Sequence, residues 1–239
     1  MSHTEKLFTP PNTVFDQIEK WDDPVTAVWA VHTTGFSGQV IEIAACQLNE
    51  RPIYNRRVRL LEGQEIEDGA FRVHGISAAE LDAAPEFVDV WKQVRHLLRL
   101  WPASVAFDPA FVSGALSRTL ALCVDPAPTS APDIHRQFSE ISALDTRAAD
   151  VKNAYAYLAG VPAKVDSLNG CPYSWVSLRH AMSRRGVYAP DLDQSALSNA
   201  RRVARLIRAL VKLNRYETEF SHLFEGYSPP LAPNEELPF

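Results

Sequence analysis

What most constrains this chain is the order of its apolar runs. "TAVWAVHT" and "QVIEIAACQLN" are β-rich segments joined through Thr-Thr-Gly and Ser-Gly, and "RPIYNRRVRLL" alternates apolar with basic residues as a half-exposed strand does. Three strands in succession predict an antiparallel meander. The next stretch, "SAAELDAAPEFVDVWKQVRHLLRLW", has helical spacing, with Phe87, Val90, Val94 and Leu97 or Leu98 on one face, and it runs into the short apolar "ASVAF", a parallel strand. Residues 110–123 are again helical, whereas 124–137 are rich in Pro, Asp and Ser and read as a surface loop.

Farther along, "ISALDTRAADVKNAYAYLAG" predicts a last strand entering a helix, and "YSWVSLRHAMSRRG" a helix stopped at Gly186. "SALSNARRVARLIRALVKLNRYE" predicts a long helix opened by Ser195. A meander followed by interleaved helices and strands implies an α/β fold, a mixed central sheet flanked by helices. The expected division is a leader over residues 1–24 with one short helix near "TVFDQIEKW", a domain over 25–218, and a flexible tail over 219–239.

Composition narrows the partners. A chain of 239 residues with 46% hydrophobic residues can bury a full core. Its net charge of -5 gives no overall attraction for a nucleic-acid backbone, so any such contact has to be local. Cys46, Cys123 and Cys171 form no CxxC pair and read as free thiols. With no apolar run near the roughly 20 residues of a membrane span and no signal-peptide pattern at the N-terminus, the expected location is cytoplasmic, without membrane contact.

Five blocks, spread over roughly residues 25–212, carry a more specific pattern. They are Ala30-Val31-His32-Thr33-Thr34-Gly35 with Ile41-Glu42-Ile43, His74-Gly75-Ile76 leading to Pro85, Val105-Ala106-Phe107-Asp108-Pro109-Ala110-Phe111-Val112 onward to Leu116, Leu144-Asp145-Thr146, and Gln194-Ser195-Ala196-Leu197-Ser198-Asn199-Ala200. In this order they resemble the DEDDh exonucleases, the epsilon-like and ribonuclease T-like branch of the ribonuclease H-like fold. The resemblance implies a two-metal hydrolase in which four carboxylates hold a pair of divalent cations and a histidine deprotonates the attacking water.

Carried over residue by residue, the acids fall on Ala30, His32, Val112 and Asn199, and the base on Gln194. None of these is a carboxylate, and glutamine takes no proton near neutral pH. The expectation is therefore a catalytically inactive member, not an enzyme, with no metal and no cofactor. A shifted register in the third block would place Asp108 rather than Val112 at the acidic position. His32 is read as hydrogen-bonded locally, and His74 as shaping the turn between a strand and the next helix.

Two features bear on partners. Arg201, Arg205, Arg208, Lys212 and Arg215 recur at helical spacing and form one stripe, readable as a track for phosphates or as an ordinary solvated face. The chain ends in Glu235, Glu236, Leu237, Pro238 and Phe239, similar to the acidic tip of bacterial single-stranded DNA-binding proteins. Its terminal ring and carboxylate suit an apolar pocket rimmed by a cation. The implied role is an adaptor or decoy in bacterial DNA replication, repair, mobile-element or defence biology, engaging a protein that recognises such tips, with nucleic acid as a second partner. An exonuclease with a relocated metal site drawn from Asp108, Asp145, Asp191 and Asp193, and a purely structural subunit, are the alternatives. Oligomeric state is not legible.

Overall fold

The computed structural model describes residues 18–101, 103–123, 131–163 and 173–220. Its sheet is built from β1 (Thr26–Thr33), β2 (Val40–Gln47), β3 (Pro52–Arg57), β4 (Ala103–Ala106) and β5 (Ala149–Asp150), in the order β3-β2-β1-β4-β5. The first three strands pair antiparallel, as the alternation predicts, and β4 joins β1 in parallel with Val28 opposite Val105. β5 continues the parallel half. Strand β1 is central, and its two alternating sets of side chains serve two cores. Val28 faces one, while Ala27, Trp29 and Val31 face the other. The free edge at β3 is exposed and carries Arg56 and Arg57, charges that discourage edge-to-edge pairing.

Helices cover both faces. The helices are α1 (Asp68–His74), α2 (Phe87–Leu100), α3 (Pro109–Cys123), α4 (Ala131–Arg147), α5 (Val151–Ala159), α6 (Leu178–Arg184) and α7 (Ala196–Phe220). One core is sealed by α2, α3 and α4, through Phe87, Val90, Trp91, Leu116, Leu120 and Ile141. Phe87 and Trp91 stack with ring centroids 6.3 Å apart, one helical turn from each other. The opposite core is sealed by α5, α6 and α7, where Val203, Ile207, Leu210 and Val211 recur at the spacing of one helix face. Residues 18–21, inside the segment expected as a leader, form a helical turn that buries Ile18 and Trp21 in this second core. Each such large apolar side chain contributes about 1.5–3 kcal/mol on burial.

Two expectations are corrected. Residues 131–137 are not loop and "ISALDTR" is not strand, because both belong to α4. Ile134, Phe138 and Ile141 follow a helical period, Ile141 is fully buried, and Arg95 and Arg99 of α2 reach Glu140. The helical period and the burial of Ile141 decide the element. The last strand is then only Ala149–Asp150. Helix α1, which was not expected, fills the connection from β3 together with a 3-10 turn at Ala78–Leu81, so the helical spacing read from Ser77 onward resolves into that turn and α2.

Candidate functional site

The end of β1, the start of α3, helix α6 and the start of α7 surround one open cleft of about 790 Å³. Ala30, Val112, Gln194 and Asn199 all line it, so four of the five positions singled out in the sequence come together. His32, the fifth, lines an adjoining hollow of about 430 Å³ that shares Val31, Phe111 and Asn199 with the cleft. Local folding sets this arrangement. Asp108 accepts from Phe111 N at 3.0 Å and caps α3, while Pro109 occupies the first helical position, where its missing N–H costs nothing. Val112 consequently sits in the first turn, against the cleft. Asp108 also pairs with Lys152, and both Asp108 and Val112 border the cavity. Lys152 in turn lies 3.8 Å above the centre of the Trp175 ring.

The turn after β1 depends on glycine. A Cβ on Gly38 would stand 2.6 Å from Gly35 N, so the tight return from Thr34 to Gln39 excludes a larger residue. Thr34 Oγ1 accepts from Gln39 N at 3.0 Å and fixes the loop.

A buried polar chain runs behind the cleft. Arg202 donates to Asn199 Oδ1 at 2.8 Å, which leaves the Asn199 amide nitrogen facing His32 Nε2 at 2.9 Å. His32 Nε2 is therefore the acceptor and the ring proton belongs on Nδ1. That nitrogen lies 3.1 Å from Glu42 Oε2, without the alignment of a full hydrogen bond. Glu42, itself buried, accepts from Ala196 N at 2.7 Å. A buried carboxylate is costly unless it is satisfied, and here the N-terminal dipole of α7 supplies the compensation. Ser195 Oγ accepts from Ser198 N at 3.2 Å and caps the same helix, as expected.

His74 packs beside His32 with centroids 5.4 Å apart, and its Nδ1 accepts from Ile76 N at 3.0 Å. It thus holds the turn that leaves α1. Burial, reinforced by the neighbouring His32, lowers its pKa below the ordinary 6.5. Burial also lowers the pKa of Arg202, opposed by the fields of Asp193 and Asp191.

Divalent cations of the exonuclease type need clustered anionic oxygens, and the residues here do not fit a pair of them. Ala30 and Val112 offer no ligand, and His32 and Asn199 are hydrogen-bonded to each other. Among the described residues no three His, Cys, Asp or Glu side chains converge to hold a metal. The candidates for a relocated site are dispersed in their engagements. Asp191 is ion-paired with Arg205, and that contact draws its pKa down to about 2. Asp193 is held by Ser195 and Ser198, likewise at about 2. The side chain of Asp145 lies outside the described residues.

The basic stripe of α7 faces the β2–β3 turn. Arg201 donates to Glu50 O at 3.2 Å, Arg205 to Glu50 Oε2 at 2.9 Å and Arg208 to Glu50 Oε1. Burial would raise the pKa of Glu50, but Arg205 and Arg208 outweigh it and bring it below the ordinary value. Glu50 also adopts φ 71, a left-handed conformation uncommon outside glycine, which these contacts hold in place. Lys212 is exposed, and the side chain of Arg215 lies outside the described residues. So do the tip residues Glu235, Glu236, Leu237, Pro238 and Phe239, and Cys171. Cys46 is a free buried thiol whose pKa burial pushes up to about 12, leaving it inert.

Sequence reasoning did not find Arg202 or Arg179, both of which line the cleft. The signal for Arg202 was available, since it stands three residues after Asn199, the neighbouring position on a helix face. Arg179 lies in the stretch "YSWVSLRHAMSRRG", whose helical spacing carries no mark of a cleft. Glu42 was part of a matched block, but its service to α7 joins residues 154 apart in sequence and leaves no local trace.

Comparison with known proteins finds no matching family model and no matching curated protein. Solved structures do match. The nuclease domain of 3'hExo, a DEDDh family member bound to rAMP, is 15% identical with a TM-score of 0.54, over 78% of this chain and 92% of that one. Exonuclease X in complex with 5' overhanging duplex DNA is 16% identical with a TM-score of 0.50, over 79% and 92%. Exonuclease I of E. coli in complex with a dT13 oligonucleotide is 14% identical with a TM-score of 0.51, over 84% of this chain and 42% of that one.

These matches correct the expectation that the chain is not an enzyme. The structures that share its fold are exonucleases by name, so the fold gives no ground for an absence of activity. Among the described residues no helix is long and apolar enough to cross a membrane. With its mixed five-stranded sheet, its flanking helices and DEDDh exonucleases as structural neighbours, the chain has the exonuclease-type ribonuclease H-like fold.

Proposed function

We propose that this exonuclease-like protein binds nucleic acid, receiving a single-stranded end in the cleft between β1, α3, α6 and α7. The observation that carries this reading is the convergence of Ala30, Val112, Gln194 and Asn199 on one open cavity whose walls include Phe107, Phe111 and Tyr188. Aromatic walls can stack bases at about 1–3 kcal/mol each, and a volume of about 790 Å³ lies in the roughly 300–1,000 Å³ range of ligand sites. The neighbours named with DNA or RNA, including a 3'-exonuclease on a histone mRNA stem-loop, support the same class of ligand. Photocrosslinking of a strand containing 4-thiothymidine, followed by peptide mapping, tests it. Attachment to the peptides around Phe111 or Tyr188 is expected, and attachment confined to the Arg201–Arg208 face contradicts it.

The adaptor role in bacterial DNA metabolism rests on the C-terminal tip alone. Its acidic residues and terminal phenylalanine suit a basic-rimmed apolar pocket on a protein partner that recognises single-stranded DNA-binding protein tips. Removal of Phe239 is expected to abolish capture of that partner, and unchanged capture contradicts the role.

Strand hydrolysis is a second reading, favoured by the exonucleases that share the fold. Digestion of labelled single strands with magnesium or manganese tests it, and cleavage lost on Asp108→Asn would place a carboxylate in the chemistry.

A further inference from the structure

We infer that the cleft takes the phosphate of its ligand directly on the guanidinium groups of Arg179 and Arg202, with no divalent cation between protein and phosphate. The inference rests on the nucleic-acid reading above and specifies how the anion is held. In a carboxylate-lined cleft a phosphate meets like charge and needs cations to bridge it. Here the corresponding positions are Ala30, Val112 and Asn199, all uncharged, with the buried His32 bonded to Asn199. Among the described lining residues the carboxylate is Asp108, and it is already matched by Lys152.

The two arginines differ from the cations elsewhere on the molecule. Arg202 directs its hydrogen bonds at neutral oxygens, Asn199 Oδ1 at 2.8 Å, Leu192 O at 2.7 Å and Asp193 O at 2.6 Å. Among the described residues no carboxylate stands within ion-pair distance of it, because the Asp193 carboxylate is turned to Ser195 and Ser198 and that of Asp191 to Arg205. Arg179, exposed in the first turn of α6, likewise has no ion pair among the described residues. Positive charge facing a cavity, with no carboxylate at ion-pair distance among the described residues, attracts an anion, and at the half-buried Arg202 the attraction is stronger than for the same charge in bulk water. A planar guanidinium offers paired N–H groups that fit phosphate oxygens. The overall charge of -5 makes this a local field, confined to the cleft.

Fluorescence anisotropy with a short fluorescein-labelled deoxythymidine strand tests the inference, using the full chain in EDTA and again in magnesium. The expected result is the same affinity in both buffers. Arg179→Gln, at an exposed position where folding is not at stake, is expected to weaken binding about tenfold and to reduce the salt slope by about 0.7. Binding that requires magnesium leaves the nucleic-acid reading intact and overturns the direct contact. So does an Arg179→Gln protein with unchanged affinity and salt slope. A strand that binds in neither buffer removes both the inference and the reading beneath it.

Discussion

Helix α7 carries two sets of arginines in adjacent positions, with opposite fates. Arg201, Arg205 and Arg208 close on Glu50, and Arg205 also on Asp191, so their charge is used to fasten the β2–β3 turn to the helix. Arg202, one residue from Arg201, turns to the cleft and meets neutral oxygens. A basic stripe in a sequence therefore does not locate the charge available to a ligand. What decides it is where the acids lie in space, and here Glu50 and Asp191 lie on one side of the helix.

The largest expected effect of breaking this contrast is at Glu50. Glu50→Ala removes the acceptor shared by Arg205 and Arg208, and the expected loss of stability is about 1–3 kcal/mol, read from the urea midpoint at constant slope. A loss below the error of the measurement would mean that the network is ornamental. Next in size is the paired comparison of Arg202→Gln with Arg201→Gln in strand binding. The first is expected to cost several-fold and the second to stay within about twofold, where tenfold equals about 1.4 kcal/mol. Equal losses would erase the distinction between the two faces.

A smaller effect comes from pH. The folded pKa of His74 is lowered from 6.5, so the unfolded chain takes up that proton first as pH falls. The stabilisation is complete above about 6.5 and declines below it, by less than about 1.4 kcal/mol per pH unit. His74→Gln is expected to flatten stability between pH 6.5 and the region where the carboxylates titrate, and an unaltered profile would assign the decline to other groups. Smallest is Lys212→Gln, expected to change stability by less than about 0.5 kcal/mol.

Much of the scaffold was legible because its signals are local. The alternation in β1 and β2, the helix period from Phe87 to Val94 and the serine before α7 each act within a few residues. Helix α4 escapes a sequence reading because Pro132 and Asp133 at its start imitate a loop, while the packing of Ile141 into the core is a tertiary fact. The same division holds at the site. Ala30, Val112, Gln194 and Asn199 could be placed by their order along the chain. The link from Arg202 through Asn199 and His32 to Glu42 joins α7, β1 and β2, so it exists only once those elements are folded together.

A structure of the protein with a short deoxythymidine strand, grown in EDTA, would locate the phosphate in the absence of any divalent cation. A strand phosphate is expected within hydrogen-bonding distance of Arg179 or Arg202, inside the cleft bordered by Ala30 and Val112. A phosphate seated on Arg201, Arg205 and Arg208 instead, with the cleft empty, would contradict it.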